Sequence, residues 1–169
     1  MDYRREDDLT DEIIDLYEAS FSDIEKIPYD NIRRTFGKGG ELISYRDGGR
    51  FVGFTFQFMN GGKVFLVYFA TVPELRSKGY GSKIIGMLRR IYPDVTMFLP
   101  MESLDPAADD IGMRKRRYGF YLRNGCTDPG YTVISDDYPF SLLFISGMVP
   151  EKEAADTVAL YEDIHNGRL

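Results

Sequence analysis

The sequence has little of the side-chain chemistry that many enzymes use, because its 169 residues include one cysteine and one histidine. Cys126 alone cannot form an intramolecular disulfide, so we expect a reducing, cytoplasmic compartment. His165 is the single histidine and stands near the C-terminal end, which argues against a Ser-His-Asp or Cys-His catalytic site.

The chain also lacks the marks of membrane proteins and of nucleic-acid-binding proteins. No apolar run approaches the roughly 20 residues that a transmembrane helix needs. The first eight residues, MDYRREDD, are too polar for a signal peptide. The formal net charge of −6 argues against general nucleic-acid binding. We therefore expect neither a membrane nor a nucleic acid among the partners.

No metal is expected either. The carboxylate pairs Asp109–Asp110 and Asp136–Asp137 lack the ligand spacing of a metal site, and a helix start and a turn explain them better.

The apolar fraction of 43% is enough for a packed core. The length suits one domain over residues 1–169.

The most informative segment runs from residue 63 to residue 91. An unbroken apolar run, Val64–Val72, predicts a strand that is buried on both faces. A glycine-rich loop follows, and then apolar residues at helical spacing from Ile84 to Ile91. Such a turn directs free backbone N–H groups and the positive end of a helix dipole at one point, which suits a phosphate or pyrophosphate.

The loop has the pattern R-x-x-G-x-G, made by Arg76, Gly79 and Gly81. It is neither a P-loop, which requires G-x-x-x-x-G-K-[ST], nor a dinucleotide fingerprint, because Ile84 stands where the third glycine belongs. A second motif lies downstream, where a helix predicted over 111–123 ends in the sequence FYLRNGC, with Asn124 and Gly125 as helix-terminating residues.

The two motifs together resemble the GNAT superfamily of N-acetyltransferases. Its pyrophosphate loop has the R-x-x-G-x-G pattern, and its fourth helix commonly ends in a tyrosine that is followed, after two or three residues, by Gly and Phe. Tyr121 and Gly125 match that ending, whereas Cys126 stands where Phe is usual. The resemblance covers roughly residues 5–146, and residues 149–169 form a C-terminal helical extension outside it.

The coarse pattern agrees with this α/β fold, which has a central mixed sheet flanked by helices. Helices are predicted from an N-cap at Thr10, over 29–36, over 81–92, over 111–123 and after Pro150. Strands are predicted over 42–45, 51–58, 64–72, 95–101, 131–135 and 140–146. Alternation over 51–58 indicates a strand with one buried face. Strands 64–72 and 95–101, joined by a helix, should be parallel.

The resemblance implies acetyl-CoA as acetyl donor. It also implies a bulge in the strand before the loop, which frees a backbone N–H for the thioester oxyanion, and the matching positions are 70–72. The residues expected to bind the cofactor are Ala70, Thr71, Val72, Arg76, Ser77, Lys78, Gly79, Tyr80, Gly81 and Ser82.

Two side chains are expected to move protons. By the same resemblance, Tyr121 is the general acid that protonates the departing thiolate. Glu102 follows the second parallel strand, at the sheet edge where ligands collect, and is the candidate general base. Asp105, bulk solvent or water relayed through the backbone could act as the base in its place.

The expected reaction is direct attack of a primary amine on acetyl-CoA in a ternary complex, with a small molecule or a peptide as acceptor. Residues 10–36 and 131–146 should frame the acceptor pocket. The chain would act as a monomer or a homodimer. A non-catalytic module that binds acyl-CoA is the alternative, and it would not need Tyr121. Side chains that could contact the acceptor are Phe21, Tyr29, Tyr131, Tyr138, Glu25, Asp30 and Asp137.

Overall fold

The computed structural model describes residues 1–135 and 137–169, and these residues form seven strands and five α-helices. The helices are α1 (Asp11–Ser20), α2 (Tyr29–Thr35), α3 (Tyr80–Ile91), α4 (Ile111–Arg123) and α5 (Glu151–His165). The strands are β1 (Asp2–Glu6), β2 (Gly40–Asp47), β3 (Arg50–Asn60), β4 (Lys63–Thr71), β5 (Thr96–Glu102), β6 (Thr132–Ser135) and β7 (Tyr138–Ser146).

The strands form one mixed sheet in the order β1-β2-β3-β4-β5-β7-β6. Strands β4 and β5 are parallel, as predicted, and the other neighbours in the sheet are antiparallel. The parallel pairing is short, because Lys63–Phe65 face Thr96–Phe98 and the two strands have no paired residues after that point. The carboxyl halves of β4 and β5 therefore separate, and this gap in the middle of the sheet holds the candidate active site.

Helices cover both faces of the sheet, and each face has its own apolar core. One core includes Ile13 of α1, Ile32 of α2 and Val158 of α5. The other includes Ile85 of α3 and Tyr121 of α4. The mixed α/β architecture expected from the sequence is thus confirmed. So is the cap of α1, where Thr10 Oγ1 accepts a hydrogen bond from the N–H of Ile13 at 3.4 Å.

Strand β3 differs from its prediction. Its alternating pattern indicated one exposed face, but Thr55 and Gln57 on that face are fully buried. The helices that pack on the sheet cover them, and hydrogen bonds satisfy the Thr55 hydroxyl and the Gln57 amide nitrogen, whereas the buried Gln57 Oε1 has no hydrogen-bond partner among the described residues. The Thr55 hydroxyl shares a 2.9 Å hydrogen bond with the Tyr45 hydroxyl, and the Gln57 amide donates to the Tyr92 hydroxyl at 3.1 Å.

Helix α5 lies in the part of the chain outside the resemblance, yet it packs into the first core. Ala154, Val158, Tyr161 and Ile164 are buried there together with residues of α1, α2 and the sheet. In residues 1–135 and 137–169, no helix is both long and apolar enough to cross a membrane. The Asp136–Asp137 pair, expected to form a turn, has its first member outside the described residues.

Candidate active site

A cleft of about 830 Å³ passes through the sheet where β4 and β5 separate. Its lining includes Tyr68 and Tyr161 from the core below α1 and α5, and also Leu66 and Leu99 from the core below α3 and α4. A ligand in the cleft can therefore be reached from both faces of the sheet. Most of the expected site residues lie along it: Ala70, Thr71, Arg76, Ser77, Gly79, Tyr80, Gly81, Ser82, Glu102 and Tyr121.

The loop before α3 has the geometry of an anion cradle. Ser77 and Gly79 have positive φ angles of 60° and 82°, and Gly79 is the N-cap of the helix. The first intrahelical bond of this turn is donated by the Lys83 N–H to the Gly79 carbonyl at 3.1 Å. The N–H groups of Tyr80, Gly81 and Ser82 precede it and have no acceptor within the helix, which suits a pyrophosphate.

The side chains of the loop have different surroundings. Arg76 is exposed and lines the cleft, whereas Lys78 is exposed but lies outside the lining. The Tyr80 hydroxyl donates to Asp47 at 2.8 Å. Gly81 is needed for packing, because a Cβ there would lie 2.9 Å from Cζ of Phe120. Gly81, the second glycine of the motif, has no side chain, so α3 can approach α4 closely at Phe120.

Strand β4 has its bulge earlier than expected. Phe56 faces Tyr68 and Gln57 faces Leu66, so Val67 is the extra residue. The expectation of a free N–H at Val72 is wrong, because this group donates to the carbonyl of Val52 at 3.0 Å. Val72 also lies outside the lining of the cleft.

The N–H of Thr71 is the group that turns towards the gap. Hydrogen-bonded and non-hydrogen-bonded pairs alternate along an antiparallel ladder. Val72 is hydrogen-bonded to Val52, so the next pair, Thr71 with Gly53, is a non-hydrogen-bonded pair. The N–H of Thr71 therefore points away from β3, into the space that β5 has left. Among positions 70–72, Thr71 is the one whose backbone donor faces the cleft.

Tyr121 lies on the face of α4 that lines the cleft, together with Arg117, Phe120 and Asn124. Its side chain is 7% exposed. Burial raises the pKa of the Tyr121 phenol above its ordinary value, and the nearby Arg117 guanidinium offsets part of this rise. The phenol consequently keeps its proton at neutral pH, as a general acid must.

Glu102 lies at the end of β5 and also lines the cleft, but its carboxylate is engaged. Arg117 Nη1 lies 2.7 Å from each carboxylate oxygen. The guanidinium occupies one lone pair on each oxygen and fixes the carboxylate against α4. Asp105 lies outside the lining of the cleft, and its Oδ1 accepts a hydrogen bond from the N–H of Ala107. The ion pair joins the end of β5 to α4, and the sequence did not predict this structural role of Glu102.

The acceptor residues expected from the sequence separate into two groups. Phe21, Glu25 and Tyr138 line the cleft on the α1 and α5 side of the sheet. Tyr29 and Asp30 line a separate, shallow hollow on the outer side of the α1–α2 connection. Tyr131 packs edge-to-face on Phe144, and Asp137 lies outside the lining.

Several lining residues were not anticipated as site residues, among them Arg117, Phe140 and Tyr161. The sequence placed Phe140 only in a predicted strand and Tyr161 only in the helix predicted after Pro150. Residues 1–135 and 137–169 contain no cluster of three or more His, Cys, Asp and Glu side chains that could hold a metal ion.

The sequence profile of the acetyltransferase (GNAT) family matches residues 8–120, so the chain belongs to this family. It is an acetyltransferase. No curated protein has a sequence significantly similar to this chain.

Solved structures of low sequence identity share the fold. A Bacteroides thetaiotaomicron protein described as a GNAT-family acetyltransferase is 22% identical, with a TM-score of 0.76 over 97% of each chain. An aminoglycoside 6′-N-acetyltransferase in complex with coenzyme A is 16% identical, with a TM-score of 0.62 over 89% of this chain and 100% of that one. A Bacillus subtilis acetyltransferase in complex with CoA is 13% identical, with a TM-score of 0.59 over 86% and 98% of the chains.

Proposed function

We propose that the protein transfers an acetyl group from acetyl-CoA to a primary amine while both are bound. The observation that carries this proposal is the cleft that passes through the sheet between β4 and β5. The anion cradle at Gly79–Ser82 lies on the α3 and α4 side, and the opening beside Phe21 and Tyr138 lies on the other side. A donor and an acceptor entering from opposite faces would meet at the gap, where no covalent enzyme intermediate is needed.

The proposed transfer uses one backbone group and one side chain. The amine nitrogen attacks the thioester carbonyl carbon, and the N–H of Thr71 donates to the oxygen as it becomes negative. The C–S bond then breaks, the new amide forms, and the thiolate takes the proton of Tyr121. The proton lost by the amine leaves through water and restores the phenol, so that the products are an N-acetyl amide and CoA.

Water is the proposed acceptor of the amine proton, because Glu102 is held by Arg117. The role proposed for Glu102 is to position the guanidinium of Arg117 beside Tyr121. The same guanidinium stabilises the developing thiolate by its charge. We also propose a cytoplasmic location, because acetyl-CoA is available there and Cys126 stays reduced.

The loop provides the test of donor binding. Arg76→Glu reverses a charge that lines the cleft, so we expect CoA to bind about ten- to a hundredfold more weakly in calorimetry. Lys78→Glu is the matched control, since Lys78 lies on the same exposed loop but outside the lining. Equal affinity of both variants for CoA would contradict the cradle assignment. Tight CoA binding without turnover of any amine would instead favour the acyl-CoA-binding module.

A further inference from the structure

The acceptor side of the cleft is built mainly from apolar and aromatic side chains. We call it the acceptor chamber and define it by Phe21, Ile24, Tyr68, Tyr138, Phe140 and Tyr161, which all line the cleft on the α1 and α5 side. The rings of Phe21 and Tyr68 lie 4.8 Å apart between centroids and continue into the aromatic core. An occupant would therefore contact ring faces and edges over much of its surface.

The hydroxyl of Tyr68 is already committed within the protein. The Tyr68 hydroxyl donates to the backbone carbonyl of Glu25 at 2.6 Å and accepts from the Tyr17 hydroxyl at 3.3 Å. Tyr68 therefore offers its ring, and not its hydroxyl, to an occupant. At the mouth, Ile24 and Tyr138 are 68% and 48% exposed, so the rim is apolar too.

Negative charge is scarce in the cleft. Among the described lining residues the carboxylates are Glu25 and Glu102, against the four arginines Arg76, Arg116, Arg117 and Arg123. Glu102 is paired with Arg117. Glu25 Oε2 accepts hydrogen bonds from the N–H and the hydroxyl of Ser22, at 2.8 and 2.9 Å. One carboxylate of the chamber, that of Glu25, thus remains within reach of a single ammonium group.

We propose that the acceptor is a monoamine with an apolar or aromatic body, an inference that rests on the proposed acetyl transfer. The aromatic chamber binds the body, and Glu25 attracts the single positive charge. A polyamine, an aminoglycoside or a lysine-rich peptide would bring several charges to a chamber with the one carboxylate of Glu25, and each unmatched charge would lose hydration without gaining a partner.

The proposal is tested by acetylation of a matched set of amines. The purified protein with acetyl-CoA receives 2-phenylethylamine, hexylamine, spermidine, an aminoglycoside and a lysine-containing peptide, each at several concentrations. We expect kcat/KM for 2-phenylethylamine to exceed that for each polycation by on the order of 10²-fold, the discrimination that burial of one ring can supply. Calorimetry of 2-phenylethylamine with the CoA-loaded protein measures acceptor binding independently of turnover.

Two variants of the same hairpin connect the preference to the chamber. Tyr138→Ala removes an exposed ring that lines the cleft, so we expect KM for 2-phenylethylamine to rise about tenfold while KM for acetyl-CoA stays unchanged. Ile134→Ala is the control, since Ile134 is 71% exposed and lies outside the lining. Glu25→Gln keeps an oxygen for Ser22 and removes the charge, so KM for the monoamine should rise as well.

The outcomes separate this proposal from the proposed function. Higher kcat/KM for spermidine, the aminoglycoside or the peptide than for 2-phenylethylamine would overturn the acceptor class and leave acetyl transfer in place. Binding of 2-phenylethylamine without turnover would support the chamber and overturn the transfer. Absence of both binding and turnover for every amine of the set would overturn both. Equal changes in KM for 2-phenylethylamine in Tyr138→Ala and Ile134→Ala would show that the chamber does not cause the preference among amines.

Discussion

Arg117 Nη1 donates to both carboxylate oxygens of Glu102, at 2.7 Å each, and so joins helix α4 to the end of strand β5. The two residues are 15 positions apart in the sequence and both line the cleft. Tyr121 follows Arg117 by one helical turn, so the guanidinium lies on the same helix face as the proposed general acid. This ion pair is the reason we propose Glu102 as a positioning residue and not as the general base.

A first prediction concerns Glu102→Gln. A glutamine can still accept from Arg117, so we expect kcat/KM to fall by less than about tenfold, whereas loss of a general base typically costs about 10²–10⁴-fold. The pH profile provides a second readout. With water as the proton acceptor, kcat/KM of both proteins should rise with pH towards the pKa of the amine substrate. A drop in kcat/KM above a hundredfold would restore Glu102 as the base.

Tyr121→Phe removes one proton and keeps the ring in its buried position. We expect kcat to fall by about 10²–10⁴-fold while CoA affinity and the unfolding midpoint stay close to those of the wild type. Tyr118→Phe is the control on the same helix, because the Tyr118 hydroxyl donates to Asp128 at 2.9 Å and the residue lies outside the cleft lining. Full activity of Tyr121→Phe would show that the thiolate is protonated by water.

The dependence of kcat on pH above neutrality should show the effect of burial on the pKa of Tyr121. An acid loses activity as the pH rises through its pKa, and burial raises the pKa of Tyr121 above the ordinary value of about 10 for tyrosine. We therefore expect kcat at saturating substrates not to fall between pH 7 and pH 10. A decline centred below pH 9 that disappears in Tyr121→Phe would contradict this environment for the phenol.

Prolines at positions 71 and 72 should separate catalysis from sheet pairing. Thr71→Pro deletes the N–H that faces the gap, and the loss of one oxyanion donor costs roughly 10²–10³ in kcat. Val72→Pro deletes the donor to Val52, so its main effect should be on the free energy of unfolding. Turnover is measured beside circular dichroism and urea denaturation. A folded Thr71→Pro variant with wild-type kcat would exclude this donor.

Two glycines of α3 should respond oppositely to alanine. Gly86 has open surroundings, with Arg90 Nη1 as the nearest atom at 4.0 Å, so Gly86→Ala should raise the free energy of unfolding by about 0.5–1 kcal/mol. At Gly81 the new methyl group would meet Phe120 at 2.9 Å, and we expect a loss of about 1 kcal/mol. Urea denaturation of both variants measures the difference. A stabilised Gly81→Ala would mean that Phe120 moves aside freely.

The sequence by itself determined the features whose physics is local. Helical spacing and a cap at Thr10 identified the helices, because a helix forms from neighbouring residues. The unbroken apolar run at Val64–Val72 identified the central strand, and the turn at Arg76–Gly81 predicted the loop before α3. Strand β1 was missed, since Asp2–Glu6 is largely exposed at the sheet edge and carries no apolar alternation.

Tertiary structure alone decided the features that depend on distant segments. The register of β3 against β4 determines that Val72 gives its N–H to Val52 and that Thr71 faces the gap. The ion pair of Glu102 with Arg117 requires β5 and α4 to pack side by side. Tyr161 reaches the cleft because α5 folds back onto the sheet. Composition and periodicity record which side chains avoid water, whereas these contacts depend on which surfaces meet, and that is decided only when the whole core packs.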